Sequence, residues 1–361
     1  MNATPSGAIR AATEDQRFAA DSIVDHGARV LCAHGVPEPD ARLVAESLVT
    51  ADMWGHPSHG MLRLPWYVAR LQSGAMRSVT ETETVTSFAA VSVIDGHDGV
   101  GQVVTHRAVT AAAAAASTYG VGVVAVRNSN HFGTAAYWTR LLAEFSCVGI
   151  LTTNGSPAMA PWGGIEKMVG ANPWSIAVPG GRHGTLVLDI ANIGVARGKV
   201  YAARQRGEQL PEGWAIDASG LPTTDPQAAI DGLLLPMAGH KGYAISFMMD
   251  VLSGVLTGSS FGNDVVGPYV PDQPSGCGHL VIAINIAAVM PPDQFTERID
   301  QLITSLKSSR PAPGQEILVP GELENRSFTT AAGAVTLPAK TVEELNGLAE
   351  ACGVATLAPA R

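Results

Sequence analysis

The chain has 361 residues, 46% hydrophobic and only 15% charged, enough apolar material for packed cores in roughly two domains. Its formal net charge is −9, from 23 basic and 32 acidic residues, and it has no Lys/Arg run, so the electrostatic footprint of nucleic-acid binding is missing. Mean hydropathy is slightly positive, yet no apolar run reaches the ~18 residues of a membrane span.

Met1-Asn2-Ala3-Thr4-Pro5-Ser6-Gly7 offers neither a basic n-region nor an apolar h-region, so no signal peptide is expected. Residues 1–77 read as helical. Thr13-Glu14-Asp15-Gln16 has the spacing of a capping box. A second helix opens near Pro37-Glu38-Pro39-Asp40, repeats Ala41, Val44, Ala45, Leu48 and Ala51 on one face, and stops by Gly55. Gly55-His56-Pro57-Ser58-His59-Gly60 reads as a loop, and a third helix carries Leu64 to Leu71.

Beyond residue 80 the pattern changes to short β-branched runs at 91–95, 121–126 and 148–152, then 174–178, 185–189 and 279–286. An alanine-rich helix over 106–119 ends at Gly120 as a C-cap would. Runs 174–178 and 185–189 have no helix between them. That predicts an α/β chain with a mixed, largely antiparallel sheet, not a repeated βαβ winding. Helices are also expected over 239–256 and 292–308. The expected organisation is a helical domain over 1–77, completed by helices in 292–361, and a mixed-sheet domain over 78–291. Cys32, Cys147, Cys277 and Cys352 form no CxxC pair, which predicts core thiols of a cytoplasmic protein, without a zinc site or disulfide framework.

Two segments carry the chemistry. Ser58-His59-Gly60-Met61-Leu62-Arg63 puts a histidine four residues before an arginine, and Asn128-Ser129-Asn130-His131-Phe132-Gly133 supplies a second histidine. A guanidinium beside an imidazole suits a small 2-oxo acid: the fork grips the carboxylate and the imidazole moves the hydroxyl proton. His56-x-x-His59 with His131 invites a metal, but the spacing lies in a loop and no Glu stands beside it, so no metal is expected. Gly99-x-Gly101 before a helix lacks the third glycine and later acidic residue of a dinucleotide fingerprint. Gly239-His240-Lys241-Gly242 opens a helix whose amides and ammonium suit a phosphate, or simply face solvent. Asp189, after an apolar run, suits three roles: orienting a histidine, meeting a ribose hydroxyl, or capping a turn.

Together these segments resemble the malate/L-lactate dehydrogenase family of the non-Rossmann type. The match runs in order through Ser58-His59-Gly60…Arg63…Pro65…Tyr67 and Ser129-Asn130-His131-Phe132-Gly133. It continues through Gly170-Ala171-Asn172-Pro173, Leu188-Asp189-Ile190-Ala191, Ala196-Arg197-Gly198-Lys199 and Pro236–Tyr243, to Pro320-Gly321-Glu322. The resemblance implies a helical domain joined to an NAD- or NADP-binding mixed-sheet domain. It also implies a homodimer and hydride transfer to or from a small 2-hydroxy or 2-oxo acid. It offers His131 as acid/base, or His59 in a relay with Ser58 and Asp189. Arg63 and Tyr67 match substrate-contacting positions. His131, Phe132, Gly133, Thr134, Ala135, Asn154, Asp189, Ile190, Ala191, His240, Lys241, Pro320, Gly321 and Glu322 match cofactor-contacting ones. Ala171 stands where the family usually has Thr, and Asn192-Ile193-Gly194 where Thr-Ser is common, so local cofactor bonds differ.

The leading expectation is an NAD- or NADP-dependent oxidoreductase of malate-, lactate- or sulfolactate-type acids. The alternatives are reduction of a cyclic or N-alkyl 2-imino acid, and a catalytically silent dimeric binding protein. A doubly acidic substrate needs a second cation, for which Arg182, His183, Lys167 and Arg197 are candidates. No nucleic-acid or membrane partner is expected.

Overall fold

The computed structural model describes residues 15–195 and 197–358. Met1 to Gly7, Thr13 and Glu14 of the expected capping box, and Ala196 of the Ala196–Lys199 motif lie outside these residues.

The chain opens with β1 (Gln16–Ala19), α1 (Ala20–Ala33), α2 (Glu38–Met53), two single 3₁₀ turns at Pro57–His59 and Met61–Arg63, and α3 (Leu64–Ser73). Then come β2 (Glu83–Phe88), β3 (Val91–Asp95), α4 (Gly101–Tyr119), β4 (Val121–Ser129), α5 (Ala135–Glu144) and β5 (Cys147–Thr153). A hairpin of β6 (Pro157–Met159) and β7 (Val169–Gly170) precedes β8 (Trp174–Val178) and β9 (Leu186–Ile190). Next are α6 (Arg197–Arg206), β10 (Ala215–Ile216), β11 (Pro222–Thr223), α7 (Pro226–Asp231) and β12 (Leu233–Leu234). After α8 (His240–Asp250) come β13 (Cys277–Asn285), α9 (Pro292–Lys307), α10 (Glu322–Ala331), β14 (Ala334–Leu337) and α11 (Ala339–Ala351).

The expected mixed sheet is present. Seven strands lie in the order β2-β3-β4-β13-β5-β8-β9. Only β3 and β4 run parallel, with α4 as their crossover; every other neighbour is antiparallel. Val104, Val109 and Ala112 of α4 and Trp138 and Leu142 of α5 pack on Val124, Val126, Leu151 and Val281 of the sheet. The helical layer has its own core, in which Ile23, Leu31, Val44, Leu48 and Leu64 meet Val335, Leu337, Val342 and Leu345 from the chain's far end. A small satellite core of Val195, Val200, Leu210, Ala215 and Leu234 holds the β10–β12 sheet together.

Local signals explain most boundaries. Pro39 sits in the first turn of α2 with Glu38 and Asp40, where a missing N–H and negative charge are both tolerated. Gly120 closes α4 at φ +82°. Three expectations shift. Gln16 belongs to β1, whose Phe18 pairs with Val335, so the first helix starts only at Ala20. The alanine-rich helix begins earlier, at Gly101. The helix expected over 239–256 is α-helical only to Asp250, then continues as a π-helical turn at Val251–Val255. Near the C-terminus, β14 and α11 join the helical core, whereas α9 packs against the Gly181–His183 turn of the sheet layer.

Candidate active site

The segment between α2 and α3 is built around Asp52. Its Oδ2 accepts the Met61 N–H at 2.8 Å. A Cβ on Gly60 would fall 2.0 Å from Asp52 Oδ1, so only glycine lets the chain pass so close. Burial pushes the Asp52 carboxyl up to about 7, against the opposing pull of the Met61 amide. Pinned in this way, the two 3₁₀ turns aim Ser58, His59 and Arg63 outward. Ser58 Oγ and His59 Nδ1 are 2.9 Å apart. Arg63 Nε donates to Ser58 O at 2.6 Å, and its guanidinium lies 4.0 Å from the centre of the Trp66 ring. Both terminal nitrogens of Arg63 have no hydrogen-bond partner among the described residues.

The second histidine arrives from the end of β4. His131 Nδ1 stands 2.7 Å from the hydroxyl of Tyr67, a fully buried residue of α3, and 3.3 Å from the Gly133 N–H. The His59 and His131 rings are nearly parallel, 18° apart with centroids separated by 5.8 Å. Their Nδ1 atoms face Ser58 and Tyr67 respectively, and neither Nε2 atom has a hydrogen bond among the described residues. Burial, helped by Arg63 and His56, lowers His59 to about 4. Burial, then His59 and Arg63, pushes His131 well below the ordinary histidine range. Both imidazoles are therefore free bases at neutral pH.

Asp189, at the end of β9, takes the capping role. Its Oδ2 accepts from Thr134 Oγ1 at 2.5 Å and from Ala136 N at 2.7 Å, at the start of α5. Its carboxyl is raised by burial, and these two bonds oppose the rise. Ser58 and His59 are paired as the relay requires, but Asp189 has no hydrogen bond to His59; the histidine whose charge it feels is His56, itself 3.3 Å from Glu324. Among the described residues no group of three His, Cys, Asp or Glu is placed to hold a metal.

The cofactor-matching positions separate into two sets. His131 to Ala135 and Asp189 meet through Thr134, and the β9 exit continues to Asn192, whose carbonyl accepts from Met237 N just before α8. That helix starts at exposed His240 and Lys241 without a side-chain cap, and Gly242 lies so close to Met237 O that a Cβ would fall 2.1 Å away. Uncapped first-turn amides beside an ammonium suit a diphosphate, so this end of the molecule fits a dinucleotide. The second set is already engaged. Asn154 donates to Asp250 and Ser260 and accepts from Gly278, so its side chain organises the turns around the π-helix. Pro320 O accepts from Val187 N, and Glu322 is bonded to Lys307 and Arg326; although burial raises it, these partners hold it at about 2. Arg182 meets Thr304 and Asp300 of α9, and His183 meets Asp300.

Two residues of this region were not singled out from the sequence. Gln102, fully buried in the first turn of α4, faces the Tyr67 hydroxyl, yet neither of its amide atoms has an aligned partner. His279 of β13 stands behind the site, with Nδ1 2.8 Å from Thr153 Oγ1 and its ring edge-on to Phe132 at 4.7 Å. Burial lowers it to about 3, so it too is neutral. A lone polar residue on the apolar face Val103–Val104–Val109 was the one available hint for Gln102.

A guanidinium whose fork has no partner among the described residues, two neutral imidazoles and an open helix start are what an NAD- or NADP-dependent oxidoreductase of small 2-hydroxy acids requires. Residues 18–346 match the malate/L-lactate dehydrogenase family model. The L-sulfolactate dehydrogenase of Methanocaldococcus jannaschii is 42% identical over 298 residues, 82% of this chain and 86% of that protein. Its solved structure superposes with a TM-score of 0.90 at 38% identity, covering 94% of this chain and 98% of the other. The malate dehydrogenase of Pyrococcus horikoshii is 37% identical over 348 residues, 94% of this chain and 96% of its own length. The NADP(+) (2R)-3-sulfolactate dehydrogenase of Chromohalobacter salexigens is 34% identical over 320 residues, 88% of this chain and 93% of that one. The chain belongs to the malate/L-lactate dehydrogenase family.

Proposed function

We propose that this enzyme interconverts a malate-, lactate- or sulfolactate-type 2-hydroxy acid and its 2-oxo acid, with Arg63 as the carboxylate clamp and His131 as the acid/base. The observation that carries this reading is the free Nη1/Nη2 edge of Arg63, locked in plane by Trp66, beside a histidine anchored by a buried phenol. A planar fork fixes a carboxylate in two bonds and so orients the carbon next to it. The nicotinamide, when bound, supplies the hydride acceptor or donor. In the oxidising direction the hydroxyl proton moves to Nε2 of His131. For Nε2 to accept, the ring's own proton must stand on Nδ1 and hydrogen-bond to Tyr67 Oη, whose O–H turns to the Gln102 amide beside it, and the Gly133 N–H gives up its contact with Nδ1. His131 is preferred to His59 because Tyr67 is buried, whereas Ser58, the partner of His59, is exposed.

Lys241 and the open start of α8 would hold the cofactor's diphosphate. The enzyme would act as a homodimer. Phe247, Met248, Val255 and Leu256 along α8 and its π-helical turn are about half or more exposed in the single chain, an apolar face suited to a second copy. Cytoplasmic residence is supported by four cysteines without disulfide partners, two of them buried. No helix among the described residues is long and apolar enough to cross a membrane.

The test is a panel of 2-hydroxy acids, 2-oxo acids and cyclic imines run with both cofactors, followed by three variants. His131→Asn should keep the fold and the cofactor Kd while losing roughly 10²–10⁴ in kcat. His59→Asn should lose less. A dead His59→Asn, an equally damaged Asp189→Asn and an active His131→Asn would transfer the acid/base role to the relay.

A further inference from the structure

Helix α3 presents a second residue to the β4 end, one turn beyond Tyr67. Arg70 is 1% exposed and spends its guanidinium on three neutral oxygens: Asn130 Oδ1 at 3.0 Å, Gln273 O at 2.9 Å and Val270 O. Among the described residues none of its hydrogen bonds goes to a carboxylate, and the nearby acidic side chain whose charge it feels is Asp98. Asn130 in turn donates to the carbonyls of Asp98 and Gly99 at 3.0 and 2.9 Å, so its side-chain amide is committed at both ends. Behind it Gly101 lies so close that a Cβ would fall 2.4 Å from the carbonyl oxygens of both Asn130 and His131. The backbone that presents His131 is thus pinned from both sides.

The same arginine reaches toward the clamp. Its acceptors Val270 and Gln273 follow Tyr269, whose ring meets Trp66 edge-on at 6.0 Å, and Trp66 carries the Arg63 guanidinium. We propose that Arg70 is a positioning residue, whose buried fork sets the separation between the Arg63 clamp and His131 by tying α3, the 270–273 segment and Asn130 to one centre. The proposal rests on the reading of Arg63 and His131 given above. A buried cation without a hydrogen-bonded counter-ion is costly, and three neutral acceptors leave its charge in place. That charge acts on His131 together with His59 and Arg63 from the preceding turns and His279 from β13. Tyr67 faces the same ring as a neutral phenol, since burial raises it.

The test compares Arg70→Lys with Arg70→Gln, using L-malate and L-lactate as probe substrates. Both variants should lose roughly 10–100-fold in kcat, the scale of an ångström-sized misplacement, while cofactor Kd, read by NAD(P)H fluorescence, stays unchanged. The acid limb of the oxidation profile should move to higher pH in Arg70→Gln, where a cation has gone, and stay in place in Arg70→Lys. Should Arg70→Gln not fold, Asn130→Ser, which cuts the Arg70 tie to the histidine segment together with that side chain's bonds to Asp98 O and Gly99 O, should show the same loss of kcat with the acid limb in place. Wild-type kcat in Arg70→Lys and Asn130→Ser would overturn the proposal. So would a loss of kcat in Arg70→Gln that is matched by lost cofactor affinity and leaves the limb unmoved. His131→Asn runs in parallel: a dead His131→Asn beside fully active Arg70 variants sinks this proposal alone, whereas an active His131→Asn sinks the reading beneath it.

Discussion

Asp52→Asn should change how stability responds to pH. An ordinary aspartate titrates at 3.8, and in the fold Asp52 titrates at about 7. Below the lower value both states are protonated and burial of the carboxyl carries no ionisation cost. Between the two values the native chain keeps a proton that the unfolded chain has released, so stability falls as pH rises. At about 1.36 kcal/mol per pH unit, the interval from 3.8 to about 7 corresponds to a loss of about 4 kcal/mol by pH 8. Asparagine keeps an oxygen for the Met61 N–H and cannot ionise. Whatever constant offset its amide introduces beside Gly60, the variant should gain on wild type by about 2–4 kcal/mol between pH 4 and pH 8. Urea unfolding of both proteins at those two pH values and one fixed protein concentration reads the difference directly. Parallel curves, with a constant gap, would show that Asp52 titrates normally and that the 57–63 turns are not held over a protonated acid.

Three more outcomes follow from the site. Arg63→Lys should lose most activity through KM and kcat together, because lysine keeps the charge and loses the fork stacked on Trp66; unchanged kinetics on a 2-oxo acid would place Arg63 outside the site. The acid limb of kcat/KM for hydroxy-acid oxidation should lie below the usual histidine value of 6.5, since His131 is depressed and must be neutral to accept the proton. A limb at or above that value contradicts the buried free base. Lys241→Ala should weaken cofactor binding more than substrate binding in a fluorescence titration, and an unaltered cofactor Kd with a raised substrate KM would turn the lysine toward the substrate.

The strands were legible because central β-branched runs such as 121–126 and 279–286 have few other uses, and the glycines at 120 and 239 punctuate helices. β1 was not: four residues with only Phe18 buried have too little pattern to register, and their pairing partner lies more than 300 residues away. The two histidine segments and Arg63 were legible as chemistry, but their mutual geometry was not. That Tyr67 serves His131, or that Asp52 sits under Gly60, depends on contacts between segments whose spacing carries no period. Asp189 shows the limit clearly. Its residue type suits a relay, a ribose or a cap, and only the position of Thr134 and Ala136 shows that one of its oxygens serves as the cap.

That cap has an electrical consequence. α5 begins four residues beyond His131, and α8 begins just past Met237, which is bonded to the exit of β9. Each helix start carries roughly half a positive charge. At α5 an oxygen of the Asp189 carboxyl already accepts from the Ala136 N–H, whereas the first turn of α8 holds no acidic residue and no side-chain cap. Of the two helix starts the fold has furnished one with its own acceptor and left the other open. A polyanion seeking unpaired helix amides would therefore meet them at the start of α8, beside Lys241, whereas at α5 the Asp189 carboxyl already holds one.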